Sequence, residues 1–321
     1  MSSKKGRSRR GEHAGPRRVA AQPAPAPRRP FGSALFGSAS SVMPPIGRSL
    51  GRGLLTVISS PVLVVVALLL VPFAWLALIA IGFEGSPSRL VDVLALPPIS
   101  TYFDLGTGAS MVGIGPAFLV FTGVALLIRS VVFALLSGMI VEALEDGRVS
   151  SYGLLRGLGV IPTIVVVEVA SFTLIVAGNL VFPVLGPGIG FLAFVAALVG
   201  GLFFLGFAPT AAIRQGRGVM ESLRRSGRAA MLPGSRHLLF CILYFFIALP
   251  VVVGFAPGGS DITANPTLVT WIFALAVNVL HLGFMAALSY RWIVAEPSVP
   301  EEPVRRRQGS RQPSVRPRGR R

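Results

Sequence analysis

A chain of 321 residues that is 52% hydrophobic and only 13% charged, with a mean hydropathy of +0.71, falls outside ordinary soluble domains and in the membrane class. Its formal net charge of +17 is segregated: residues 53–83 carry no charge, and two thirds of all Lys and Arg lie in the first 52 and last 31 residues. A single cysteine, Cys241, excludes an intramolecular disulfide, a CxxC redox pair and any multi-cysteine zinc site.

Residues 1–30 combine nine basic side chains with an Ala-Pro run and no apolar period, so they read as a disordered cationic arm. A signal peptide is not expected, because the first apolar run starts beyond residue 50 and is too long for an h-region. Between Phe31 and Gly53, isolated apolar residues among Gly and Ser suggest weak contact with a membrane surface, which makes 1–53 an arm plus a juxtamembrane segment.

Six apolar runs follow, at 57–83, 111–143, 159–183, 189–211, 237–256 and 267–290. Each reaches the ~20 residues that span ~30 Å of hydrocarbon at ~1.5 Å per residue, and a backbone in lipid must bond internally, so each is expected to be a helix. The breaker cluster Pro183–Gly190 makes the third and fourth a tight hairpin. The expected fold is all-α: a polytopic six-helix transmembrane bundle over 54–293. Orientation follows from Lys and Arg: segments 144–158, 212–236 and both tails carry nearly all of them, whereas 84–110, 184–188 and 257–266 carry only Arg89. Both termini are therefore expected to be cytoplasmic, in a cell membrane. Residues 294–321, rich in Arg and Pro without helix or strand period, read as a second disordered arm. Arg outnumbers Lys 28 to 2, a bias expected of a GC-rich, bacterial genome.

The two basic connections echo each other. Gly147-Arg148 with Leu154 and Arg156 recurs 69 positions later as Gly216-Arg217 with Leu223 and Arg225, in the pattern of a parallel two-hairpin repeat. In the second connection, Arg217, Glu221, Arg224, Arg225 and Arg228 share one helical face, with Val219, Met220, Leu223 and Ala230 on another. That pattern predicts a cationic amphipathic helix in the headgroup plane. Arg217, Arg224, Arg225 and Arg228 are its candidate contacts to anionic lipid, and a purely topogenic linker is the plainer alternative.

Charges inside membrane-length runs need a partner. Arg129 lies 13 residues before Glu142 and Glu168 nine residues after position 159, so their depths differ by only ~6 Å. His281 falls in the same layer with Asn278 a turn away, so Arg129, Glu168, Asn278 and His281 are placed to form one polar cluster. It is either a proton or ion relay of a small permease or a structural ion pair with hydrogen bonds. The lack of an acidic run and of an evident broken helix favours the structural reading.

Enzyme and cofactor motifs fail on context. Gly47-Arg-Ser-Leu-Gly51 matches GxSxG in a juxtamembrane stretch without a preceding strand, and Gly186, Gly188 and Gly190 lie in a turn too short for a dinucleotide. Three histidines cannot build an HExxH or His-rich site, and no P-loop is present, so no cofactor, metal or catalytic activity is expected. The arms lack the aromatic interleaving of a single-strand binder; anionic lipids, with other membrane proteins, are the expected partners rather than specific nucleic acid.

The stretch Phe207–Ser226, with Phe207, Pro209, Gly216, Gly218, Ser222, Leu223 and Ser226 in an aromatic-x-Pro turn followed by Gly-x-Gly-x-x-x-Ser-Leu-x-x-Ser, resembles bacterial six-helix membrane families. One of these is the membrane domain attached to some glycerophosphoryl diester phosphodiesterases. Ile140–Arg148 and Leu154–Arg156 are similar to the first cytoplasmic connection of those families, and the likeness spans residues 55–293. Arg214-Gln215 replaces the usual acidic residue, and no phosphodiesterase domain accompanies the membrane part. The resemblance implies a fold and a membrane location, and no activity. The expected function is that of a membrane scaffold or accessory component with cationic cytoplasmic arms; the competing class is a permease centred on Arg129 and Glu168.

Overall fold

The computed structural model describes residues 42–67, 69, 116–216, 218–253 and 268–300, and its regular structure there is helical. In chain order the helices are α1 (Ile46–Ser59), α2 (Pro61–Ala67), α3 (Pro116–Asp146), α4 (Ser151–Leu158), α5 (Ile161–Leu205), α6 (Ala208–Gln215), α7 (Val219–Ala230), α8 (His237–Val253) and α9 (Leu268–Ala295). Three stretches are long and apolar enough to cross a membrane, Leu126–Asp146, Ile161–Gly178 and Gly188–Gln215. The bent pair α1–α2 makes up to four. The 17-residue α8 covers 237–253 of the fifth apolar run, and the 28-residue α9 takes in 268–290 of the sixth.

The third and fourth runs form the hairpin that the Gly and Pro cluster predicts. Inside α5 only Gly186 leaves helical geometry, at φ 81° and ψ 169°, a region open to glycine alone. The two limbs fold back on each other, so that a Cβ on Gly178 would stand 3.2 Å from the Ala193 carbonyl and 3.3 Å from the Ala197 Cβ.

The start of the chain departs from expectation. The first span does not begin at residue 57 as one continuous helix. Instead α1 begins at Ile46, ends at Ser59, and meets α2 at a bend of 81°. Pro61 explains the break: it has no N–H, and its ring would collide with the Val57 carbonyl, which takes the Ser60 N–H at 3.2 Å instead. The Ser59 and Thr56 hydroxyls bond back to the carbonyls of Thr56 and Arg52 at 3.2 and 2.8 Å, which further favours a bend. Nor does the stretch before Gly53 merely touch a surface. α1 packs along α9 in the most extensive helix pairing of the described chain. Gly53 meets the Gly283 carbonyl and the Ala287 backbone, and Gly283 meets Leu54. Small residues let the two backbones touch, and van der Waals contact then does what the hydrophobic effect cannot do in lipid. The packed body runs from Met43, 1% exposed, to Val299, 4% exposed, so it takes in residues that the sequence assigns to the arms.

Two cores result. One joins α1, α2, α3, the start of α5, α6 and α9 around Val57, Leu63, Phe133, Ile164, Ile213 and Leu282. The other joins the second limb of α5 with α6 to α9 around Phe207, Phe240, Tyr244 and Trp292.

The echo between the connections has a physical counterpart. Gly147 ends α3 at φ 68° and Gly216 ends α6 at φ 58°, both left-handed C-caps. Gly138 touches the Gly157 backbone, and 69 positions on the Phe207 N–H bonds to the Ser226 hydroxyl at 3.1 Å. In both units a helix doubles back onto the end of the span before it.

Candidate functional site

Arg129 on α3 and Glu168 on the first limb of α5 meet in the interior, Nε to Oε2, at 3.0 Å, with side chains 5% and 4% exposed. Taking two ions out of water is costly, and their attraction in a low dielectric offsets that cost only while both are present. His281 is equally buried, and its Nδ1 lies 3.3 Å from the Tyr244 hydroxyl of α8; either group can donate. The two rings meet edge to face at 6.1 Å. His281 Nε2 has no hydrogen-bond partner among the described residues. The side chain of Asn278 lies outside the described residues. Tyr244, which sequence reasoning left out, is a buried polar aromatic near the middle of the fifth run.

The α1–α2 break belongs to this layer. Val57, Leu63 and Ala67 share a core with Phe133, one turn from Arg129, with Ile164, one turn from Glu168, and with Leu282, next to His281. The sequence shows no evident broken helix, whereas in the structure α1 and α2 meet at 81° across Ser60-Pro61, as a broken span or a re-entrant turn.

The headgroup-facing set is also revised. The predicted amphipathic helix forms as α7, with Ser222, Arg225, Ser226, Ala229 and Ala230 on its buried face and Met220 63% exposed, so one member of the cationic set, Arg225, lies on the inner side. Arg225, 4% exposed and 3.7 Å from Glu221, points inward and is not open to a headgroup. Arg224 is exposed, Arg228 is half-buried and donates to the Pro300 carbonyl at 3.3 Å, and Arg217 lies outside the described residues. Small hydroxyl residues win the inner face because they admit close backbone approach and carry polar atoms to a helix joint. The Ser226 hydroxyl accepts from the Phe207 N–H and donates to the Phe204 carbonyl at 2.7 Å, satisfying groups left open where α5 passes into α6.

Sequence reasoning missed a charged clasp at the end of the spans. Glu145 takes Arg156 at 2.8 Å and Arg214 at 2.7 Å, while Glu296, just past α9, takes Arg214 and Gln215, each at 2.6 Å. The chain of contacts ties α3, α4, α6 and α9 together. Nearby, Glu142 accepts from the backbone N–H groups of Ser150 and Gly153 at 3.0 and 2.9 Å and from the Ser150 hydroxyl, holding the start of α4.

Arg291, 0% exposed, donates to the carbonyls of Pro44 and Ser235 and to the Ser49 hydroxyl, and lies 5.1 Å from the centre of the Phe240 ring. It binds the entry of α1 to the exit of α9. Among the described residues no three or more of His, Cys, Asp and Glu converge as metal ligands. No protein-family model, curated protein or solved structure matches this chain.

Proposed function

We propose that this is a six-span, non-enzymatic bacterial plasma-membrane protein with both termini cytoplasmic, acting as a scaffold or accessory component whose cationic arms contact anionic lipid. α8 and α9 supply the fifth and sixth spans in this reading, and the α1–α2 pair enters the first. The burial of the Arg129–Glu168 pair carries the argument: its side chains are 5% and 4% exposed and paired at 3.0 Å, a tie between helices rather than a station on a wet path.

The test is cysteine accessibility in native membranes. Ser130→Cys and Ser171→Cys replace buried hydroxyls, 0% and 8% exposed, one position and one turn from the two charges. A scaffold leaves both unlabelled by small water-borne thiol reagents until the fold is denatured. Labelling from either aqueous side would contradict the scaffold and favour a small permease. That second reading has one observation of its own, the 81° break of the first span close to the depth of the pair, since broken helices form binding sites at mid-membrane in many transporters.

A further inference from the structure

The two sides of α1 are built differently. Gly53 lies against the Gly283 carbonyl and the Ala287 backbone, and Arg291 donates to the Pro44 carbonyl at 2.8 Å. These contacts run α1 antiparallel along the last turns of α9, with its first turn beside the exit of that helix. On the side turned away, Gly47, Arg48, Gly51, Arg52, Leu55 and Ile58 are exposed. Arg48 and Arg52 are one turn apart and no acidic residue lies in α1; among the described residues neither arginine forms an ion pair. A helical side chain leans toward the N-terminus of its helix, so Arg52 reaches back toward Arg48, and Arg48 toward the first turn. That turn has Pro45 as N-cap and no side-chain cap, which leaves its N–H groups to other acceptors. Nothing lies within 4 Å of a Cβ placed on Gly47 or Gly51. Glycine weakens a helix, and none of the described helices takes up the space that these two open.

We propose that this face of α1 binds an anionic phospholipid of the leaflet in which the first turn lies. The phosphate meets Arg48, Arg52 and the N–H groups of the first turn, close to the open backbone at Gly47 and Gly51. An acyl chain follows the same face inward over Leu55 and Ile58, 56% and 67% exposed. Cations at one end and apolar side chains at the other reproduce the order of a lipid from headgroup to tail. The site rests on the bilayer of the reading above and deepens its lipid contact, but draws nothing from the arms. The spacing of Gly47 and Gly51 also suits a helix pair. A second copy docked through this face, however, would set the arginines of both against each other with no carboxylate of α1 between them. Nucleic acid would leave Leu55 and Ile58 in water and find no aromatic ring on α1 to stack on.

Photocrosslinking of the full chain tests the site. A benzophenone amino acid replaces Leu55 or, as a control, Phe246, 65% exposed on α8, in vesicles of equal parts phosphatidylcholine and phosphatidylglycerol. Mass spectrometry of the adducts reads which lipid each position touches. At Leu55, phosphatidylglycerol is expected to exceed phosphatidylcholine by about fivefold or more, and at Phe246 the adducts should match the bulk. Arg48→Gln with Arg52→Gln should return Leu55 to the bulk ratio. Gly51→Leu keeps both charges, has open space around it and should lower the preference as well. Equal adducts at Leu55, a preference that either variant leaves intact, or one that Phe246 shares, overturns the site while membrane insertion stands. Crosslinking of Leu55 to a second copy in place of lipid overturns it too. Lipid adducts at neither position would contradict the bilayer reading itself.

Discussion

Glu145 and Arg214 stand 69 positions apart, at equivalent places in two helix–turn–helix units, and their side chains meet at 2.7 Å. The two units thus carry opposite charges where they touch, and Glu296 extends the contact to the end of α9 at 2.6 Å. Arg214→Ala is expected to remove both ion pairs at once. Each is partly exposed, so the loss is about 1–2 kcal/mol in total rather than the cost of a sealed pair. Thermal unfolding in detergent checks it: the variant should melt below the parent at low salt and approach it at high salt. A difference that salt does not change would mean that Arg214 acts through packing.

The pair formed by Arg129 and Glu168 should behave differently. Glu168→Leu leaves a buried guanidinium without its carboxylate and should cost roughly 3–5 kcal/mol, whereas the double change Arg129→Leu with Glu168→Leu should recover most of that loss. Melting temperatures of the parent, both single variants and the double variant give the coupling. If the double variant is no more stable than the worse single one, the two charges do not depend on each other.

Glycine contacts supply a third prediction. A Cβ at Gly53 would enter the Gly283 carbonyl and the Ala287 backbone, neither of which can move aside like a flexible side chain, whereas nothing lies within 4 Å of one at Gly47. Gly53→Ala should therefore destabilise the α1–α9 contact by about 1–3 kcal/mol. Gly47→Ala should match or slightly exceed the parent, because alanine suits a helix better. Yield and melting temperature of the two variants decide it, and equal behaviour would place α1 elsewhere.

The hairpin in α5, α3 as a membrane-length helix and the existence of α7 were legible because apolar length and Gly or Pro punctuation act locally. The inward turn of Arg225 on α7 was not. Periodicity groups Arg225 with the outer cations, but the contact with the end of α5 takes up the side of α7 that carries Ser222, Arg225 and Ser226, and tertiary fit outweighs hydropathy. The meeting of Arg129 with Glu168 could be read from depth alone, since few ions lie inside the spans. Three features could not: Tyr244 beneath His281, the clasp at Glu145, and Arg291 fastened to Pro44. Each depends on which helices become neighbours, and similar lengths and hydropathies leave that choice open. The break at Ser60-Pro61 was visible as a dipeptide, yet the continuous apolar run around it concealed its consequence.

The account depends most on a bilayer solvating the spans, with both helix–turn–helix units and both arms on the cytoplasmic face. Fusing a reporter active only outside the cytoplasm after Arg148, after Arg217 and after Asp261 tests this directly. The account predicts activity from the Asp261 fusion alone, with all three products in the membrane fraction. An inactive Asp261 fusion beside an active Arg148 or Arg217 fusion, or a full chain that stays dissolved without detergent, would contradict it.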